Sequence, residues 1–292
     1  VTAPFGRRLA DAVAARGPLC VGIDPHAPLL EKWGLPDGPE GLARFTATVV
    51  DALAGTVAVL KPQLAFYERH GSRGLAVLED AVARARAAGA LVLLDAKRGD
   101  IGSTMDAYAD YLRPDHPLAV DAMTVSPYLG PGSLQPAVDT ARMCGGGLFV
   151  LARTSNPDAG TFQHASVGER SVAQVVVDTV RGWNTPGWVI GDPLPDVAAV
   201  RDQASRFGPT TGSFGVVVGA TLRDLDIDLE GLGGPVLAPG LGAQGGSAAD
   251  LRRLFGSGTA VVPTVSRDVL AAGPDPAGLR AAARRWADEL AG

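Results

Sequence analysis

The chain has 292 residues, of which 46% are hydrophobic and 20% charged, and its formal net charge of −5 is spread along the length without blocks. That composition supports a large buried core and argues against a nucleic-acid or anionic-membrane partner. No apolar run approaches the roughly 18 residues of a transmembrane helix, and Val1-Thr2-Ala3-Pro4-Phe5-Gly6-Arg7-Arg8 lacks the apolar core of a signal peptide.

A helical stretch over Arg7–Ala15 precedes a series of short apolar runs, each ending in Gly, Pro or a polar residue, the mark of a buried strand. Leu19–Ile23 ends at Asp24, and Val57–Leu60 ends at Lys61. After a helical pattern over Leu75–Ala88, Leu91–Leu94 ends at Asp95-Ala96-Lys97-Arg98-Gly99-Asp100. Ala122–Val125 ends at Ser126-Pro127, and Leu148–Leu151 leads into Arg153-Thr154-Ser155.

Residues 152–213 then separate the fifth and sixth runs, a gap far longer than the others. It holds helical patterns at Val172–Val180 and Val197–Arg206, with Trp183, Pro186, Trp188, Pro193 and Pro195 between them. The two tryptophans are expected to pack this segment onto the rest of the fold. The series resumes with Phe214–Val218, Pro235–Ala238, a helix over Ser247–Phe255, and Thr259–Val262 ending at Pro263-Thr264. Asp275-Pro276 is a cap-then-proline start for a last helix over Gly278–Leu290.

Strands that are apolar throughout, alternating with helices, predict a parallel sheet covered on both faces. Eight such units predict a single (β/α)8 TIM barrel over residues 1–292, with an insertion at about 181–210 between strands five and six. The first and last helices read as extra elements closing the barrel. Cys20 and Cys144 have no metal-ligand spacing, and the four histidines form no His-x-x-x-His pair. No metal site and a reducing cytoplasm are therefore expected.

The third strand delivers two carboxylates and a lysine to its C-terminal mouth, where barrels of this kind build their sites. Charges so close shift one another's pKa values, as proton chemistry requires. Of 26 basic residues only Lys32, Lys61 and Lys97 are lysines, and two of the three sit at strand ends. Lysine, unlike arginine, releases a proton at accessible cost. Other readings stay open. Asp95 also reads as a structural ion-pair partner of Lys61 or Lys97, Asp100 as a helix N-cap, and Asp24, before Pro25, as a turn residue.

Strand seven runs into Pro239-Gly240-Leu241-Gly242-Ala243-Gln244-Gly245-Gly246-Ser247 and then a helix. Glycines let backbone N–H groups approach an anion, and a helix N-terminus adds partial positive charge. Arg267 follows strand eight, and the loops after strands seven and eight are the recurrent phosphate site of this barrel. Gly240, Gly242 and Gly245 also match G-x-G-x-x-G. A dinucleotide site wants an acidic residue about 20 positions on, and residue 260 is alanine. A monophosphate is the better reading, with a ligand-free tight turn as the alternative.

Together these residues resemble the orotidine 5′-phosphate decarboxylases, in particular the longer bacterial subgroup that includes mycobacterial enzymes. The family's Asp-x-Lys-x-x-Asp signature is carried by Asp95, Lys97 and Asp100. The resemblance extends over nearly the whole barrel, from Asp24 and Lys61 to the Ser155 loop, the strand-seven loop and Arg267. It implies decarboxylation of orotidine 5′-monophosphate to uridine 5′-monophosphate without metal or cofactor. It also implies a homodimer with shared active sites. By resemblance, Lys61, Asp95, Lys97 and Asp100 form an alternating charge network, with Lys97 as proton donor. Asp100 and Thr104 would come from the other subunit. Asp24 would bind ribose hydroxyls, Ser155 the pyrimidine, and Gln244, Gly245 and Arg267 the phosphate. Two alternatives share parts of this pattern. One is a magnesium-dependent sugar-phosphate lyase, although no Glu lies at a strand mouth and Lys61 would repel the metal. The other is a catalytically silent nucleotide-binding barrel.

Overall fold

In the computed structural model, which describes residues 2–195, 212–256 and 258–292, the eight apolar runs close into one parallel barrel. Its strands are β1 (Cys20–Ile23), β2 (Val59–Pro62), β3 (Leu91–Arg98), β4 (Ala122–Val125), β5 (Gly147–Arg153), β6 (Phe214–Val218), β7 (Val236–Pro239) and β8 (Val261–Val265). Each pairs with its neighbours in sequence, and closure comes from Cys20 opposite Thr264 and Val21 opposite Val265.

Strand side chains alternate between two faces. The outward set, including Val21, Leu60, Val92, Leu94, Met123 and Val216, packs with the surrounding helices. The inward set includes Cys20, Val59, Leu91, Leu93, Ala122, Phe149, Val217, Leu237 and Val262. Phe5 and Leu9 of the N-terminal helix Phe5–Arg16 join this inner cluster and plug the barrel floor. The Phe5 ring meets Phe149 edge-on at 5.9 Å. Gly147 makes room for it, since a Cβ there would lie 2.3 Å from the Phe5 ring. Burying side chains of this size contributes about 1.5–3 kcal/mol each. Two residues beyond Val59, Leu93, Ala122 and Val262, the same inward period reaches Lys61, Asp95, Thr124 and Thr264. The interior thus turns from apolar to polar toward the C-terminal strand ends.

Several boundaries differ from those expected. β2 and β8 lie about two residues later than their apolar runs, so Lys61, Pro62 and Thr264 are strand residues. Pairing with β1, which runs from Cys20 opposite Val59 to Ile23 opposite Pro62, draws β2 onward. Pro62 is its last residue, where a missing N–H does least harm to the ladder. β3 does not stop at Leu94 but runs through the charged cluster to Arg98, with its register on β4 shifting between Leu94 and Arg98. No helix joins β6 to β7 among the described residues. Apolar residues there recur with period two, at Leu225, Ile227 and Leu229, which suits extended chain rather than helix.

The last helix, Pro276–Ala291, starts as expected, with the Asp275 carboxylate accepting the N–H groups of Ala277 and Gly278. It is not an extra closing element. It packs against helix Pro39–Leu53 in the outer ring and serves as the helix that follows β8. After β5 come a short ribbon, Ser166–Val167 with Arg170–Ser171, and helix Val172–Trp183. Trp183 packs edge-on against Phe214 of β6 at 6.0 Å, and the Trp188 ring lies over Gly182, as expected of both tryptophans. The helix expected at Val197–Arg206, and with it most of the second half of the 181–210 insertion, lies outside the described residues.

Candidate active site

Barrel closure brings the two strand-end lysines onto one carboxylate. Lys61 Nζ donates to Asp95 Oδ2 at 2.8 Å, and Lys97 Nζ donates to Oδ1 at 2.6 Å. Thr124 Oγ also donates to Oδ1, at 2.8 Å, so Asp95 has three donors. Lys97 Nζ reaches Gln63 Oε1 at 3.4 Å as well. Lys61 is nearly buried, with 6% of its side chain exposed, whereas 45% of the Lys97 side chain meets solvent. Lys97 has φ +50°, the one positive φ outside glycine among the described residues.

The electrostatics follow from this pairing. Burial raises the Asp95 pKa, but Lys61 and Lys97 outweigh it and hold the carboxyl below the usual carboxylate range. Burial lowers the Lys61 pKa, but Asp95, with Asp24 behind it, reverses this and holds the ammonium above the ordinary lysine value. Both groups stay charged. Burial also pushes the Cys20 thiol up to about 12, so that residue is inert core.

A cavity of about 240 Å³ opens beside the pair. Asp24, Lys61, Asp95, Gln244 and Arg267, expected from sequence, all line it, together with Gln63, Phe66, Thr264 and Ser266. The Asp24 carbonyl accepts the His26 N–H at 2.8 Å, so the turn is made by backbone. Its carboxylate is left for other work: Oδ1 is buried and has no hydrogen-bond partner among the described residues. Arg267 is exposed and pairs with no group among the described residues. An orphaned acceptor on one wall and an unpaired guanidinium on another suit a ligand with hydroxyls at one position and an anion at the other.

The glycine loop differs from expectation. The N–H groups of Gly242, Gly245 and Gly246 donate to the carbonyls of Gly246, Gly242 and Gly240, so three of the loop's donors close the loop on itself. The following helix, Ala248–Phe255, is capped by its own residues. Ser247 Oγ accepts the Asp250 N–H, and the Asp250 carboxylate accepts the Ser247 N–H. The helix N-terminus therefore already faces a carboxylate, which offsets part of the positive charge it offers an anion. What this end offers is the Gln244 side chain, the Arg267 guanidinium, and open space over Gly245, where an added Cβ would meet nothing within 4 Å.

Ser155, in the loop after β5, is exposed and lies over Gly219, where a Cβ would come within 3.0 Å of its Oγ. Lys97, Gly245, Ser155, Asp100 and Thr104 do not line this chain's cavity, although Lys97 reaches Asp95 on its wall. Asp100 is not the cap of helix Gly102–Ala109, where Ile101 holds that position. Among the described residues its Oδ1 accepts only the neighbouring Ile101 N–H, at 2.8 Å. Thr104 is exposed, as is Ile101 at 62%. Sequence reasoning missed Gln63 and Thr124. Gln63 stands two residues after Lys61, a same-face spacing that was readable, and Thr124 is the polar residue of an otherwise apolar strand.

Among the described residues no group of three or more His, Cys, Asp or Glu side chains is placed to hold a metal ion. No helix among them is long and apolar enough to cross a membrane.

Known proteins resemble this chain over nearly its whole length. The model of the family described as orotidine 5′-phosphate decarboxylase / HUMPS matches residues 17–284. A Streptomyces coelicolor protein named orotidine 5′-phosphate decarboxylase is 57% identical over 290 residues, covering 98% of this chain and 97% of its own. A Salinispora arenicola protein of the same name is 57% identical over 284 residues, covering 96% and 95%. A solved structure from Streptomyces avermitilis matches with a TM-score of 0.89 at 56% identity, over 99% of this chain and 95% of that one. That of Leishmania donovani OMP decarboxylase matches with a TM-score of 0.70 at 30% identity, over 99% and 98%.

Proposed function

The chain belongs to the orotidine 5′-phosphate decarboxylase / HUMPS family, and we propose that it converts orotidine 5′-monophosphate to uridine 5′-monophosphate and CO2 in de novo pyrimidine biosynthesis. One observation carries the assignment of roles: a single carboxylate, Asp95, held between the ammonium groups of Lys61 and Lys97 at the cavity wall.

The bond from pyrimidine C6 to its carboxylate breaks, its electron pair stays on C6, and CO2 departs. The C6 pair lies in the ring plane, so no conjugated sink accepts it. The Lys97 ammonium stabilises the developing charge and transfers its proton to C6, and solvent returns a proton to the amine. The exposure of the Lys97 side chain supports that exchange. Asp95, close to the substrate carboxylate, disfavours the ground state, while Lys61 keeps Asp95 ionised. Such a reaction calls for on the order of 20 kcal/mol of transition-state stabilisation. Binding at the remote phosphate, by Arg267, Gln244 and the open face of Gly245, contributes to it. Asp24 takes the ribose hydroxyls and Ser155 the pyrimidine.

The working unit on this reading is a two-fold dimer in which Asp100 and Thr104 complete the partner's site. Support comes from the exposure of Ile101 and Thr104 and from the Asp100 carboxylate, which among the described residues meets only the Ile101 N–H and not the Lys61–Asp95–Lys97 group. A cytoplasmic setting accords with the free thiols of Cys20 and Cys144. The roles use no metal or cofactor, and the Lys61 ammonium, 2.8 Å from Asp95, would repel a metal ion bound there.

The test is the fall in ultraviolet absorbance when orotidine 5′-monophosphate is added, with and without EDTA. Equal turnover in both supports the assignment. Turnover that needs magnesium points to the lyase chemistry, and none at all to a silent binding barrel.

A further inference from the structure

The β3–β4 ladder breaks where the charges are. Leu94 stands opposite Met123 and Arg98 opposite Val125, so Asp95, Ala96 and Lys97 on β3 face Thr124 alone on β4. Bulges of this kind leave a backbone group without its ladder partner and re-aim a side chain. Here the unpaired group is the Lys97 N–H, and it donates to Thr124 Oγ at 3.0 Å. The same hydroxyl donates to Asp95 Oδ1 at 2.8 Å, the oxygen that also accepts Lys97 Nζ at 2.6 Å. A closed ring results, from Lys97 N–H through Thr124 Oγ and Asp95 Oδ1 back to Lys97 Nζ. Thr124 is 1% exposed, so water does not substitute for the hydroxyl. Lys97 meanwhile holds φ +50°, a conformation that persists in a non-glycine residue only when its surroundings impose it.

We propose that Thr124 is a positioning residue for Lys97. Its hydroxyl holds the bulge in the left-handed conformation and fixes the ammonium on Asp95 Oδ1. It touches no reacting atom and acts through its two neighbours. The proposal rests on the reading of Lys97 as proton donor, but its structural half is testable apart from activity.

Three variants of the full chain distinguish a hydroxyl effect from packing. Thr124→Val keeps the shape and removes the hydrogen bonds, Thr124→Ser keeps the hydroxyl and removes a methyl, and Thr124→Ala removes both and stands in should the valine variant fail to fold. Misplacement of a reacting group by about 1 Å costs about 10²-fold in rate. Thr124→Val and Thr124→Ala should therefore lose about that much in kcat with little change in KM, and Thr124→Ser should stay near wild type.

The second readout uses the scarcity of lysine. With only Lys32, Lys61 and Lys97 in the chain, lysine labelled with 13C at Cε gives three signals, assigned with the Lys97→Arg and Lys32→Arg variants. The Lys97 signal should move in Thr124→Val and return in Thr124→Ser, while that of exposed Lys32 stays. A folded Thr124→Val protein with unmoved Lys97 signal and wild-type kcat overturns the proposal, as does an equal kcat loss in valine and serine variants. A moved Lys97 signal with unchanged kcat supports the positioning role and overturns Lys97 as the donor instead.

Discussion

Lys61 and Lys97 grip opposite oxygens of one carboxylate, the Asp95 Oδ2 and Oδ1, at 2.8 Å and 2.6 Å. The two ammonium groups share a partner but not an environment. Lys61 is sealed in the barrel, and Lys97 is open to solvent along nearly half its side chain. A buried ammonium beside a carboxylate keeps its proton, whereas an accessible one is placed to give a proton away and recover it. Two chemically identical side chains thus differ in environment according to which layer of the barrel each strand end reaches.

Lys97→Ala should nearly abolish decarboxylation and leave binding of a uridine 5′-monophosphate analogue measurable by calorimetry. Loss of a general acid alone is worth about 10²–10⁴-fold. Lys97→Arg should not restore turnover, because guanidinium holds its proton too tightly. Near-normal rates in the arginine variant would refute the acid role.

Arg267→Ala should weaken the nucleoside monophosphate far more than the bare nucleoside. The guanidinium pairs with nothing in the chain among the described residues, so its removal leaves no protein group stranded and takes away only a charge-assisted contact with phosphate. Equal losses of affinity for uridine and its monophosphate would show that the residue acts on the fold instead.

Asp95→Asn should destabilise the protein by about 3–5 kcal/mol near neutral pH, the cost of leaving a buried charge unpaired. Lys61 is the charge so stranded. Because Asp95 has a folded pKa below its unfolded one, near 3.9, its ionisation stabilises the fold fully above that value. The contribution is lost as pH falls from there toward the folded pKa. In urea unfolding, the difference between wild type and Asp95→Asn should be flat from pH 6 to about pH 5, then narrow by about 1 kcal/mol by pH 3. A difference that stays constant to pH 3 would place the effect outside the Asp95 charge.

Lys97→Ala and Asp100→Ala should each be nearly inactive alone yet complement each other when mixed. In a two-fold dimer with shared sites, one site of a mixed pair carries both defects and the other carries neither. Random exchange makes half the dimers mixed, so roughly one quarter of wild-type activity should return. A mixture that stays inactive after subunit exchange is verified by mass spectrometry would put Asp100 in its own chain's site.

The eight strands were legible because a strand buried on both faces reads as an unbroken apolar run, a property of local sequence. Lys61, Asp95 and Lys97 were legible for the same reason, since each stands where such a run stops. The self-closed glycine loop was not, because the glycines that let backbone approach an anion also let it approach itself. The helix after β5 was legible from its pattern at Val172–Val180, but the short ribbon of Ser166–Val167 with Arg170–Ser171 before it was not. Residue types and strand periods, then, were determined by the sequence alone. Only the tertiary structure decided which oxygen of Asp95 meets which lysine, that Thr124 bridges Asp95 and the Lys97 backbone, and that Asp100 lies outside the cavity of its own chain. Apart from the Lys97–Asp95 pair, two positions apart on one strand, those contacts join residues 27 to 34 positions apart. They depend on barrel register, which is set by closure of all eight strands together and is written in no single stretch of chain.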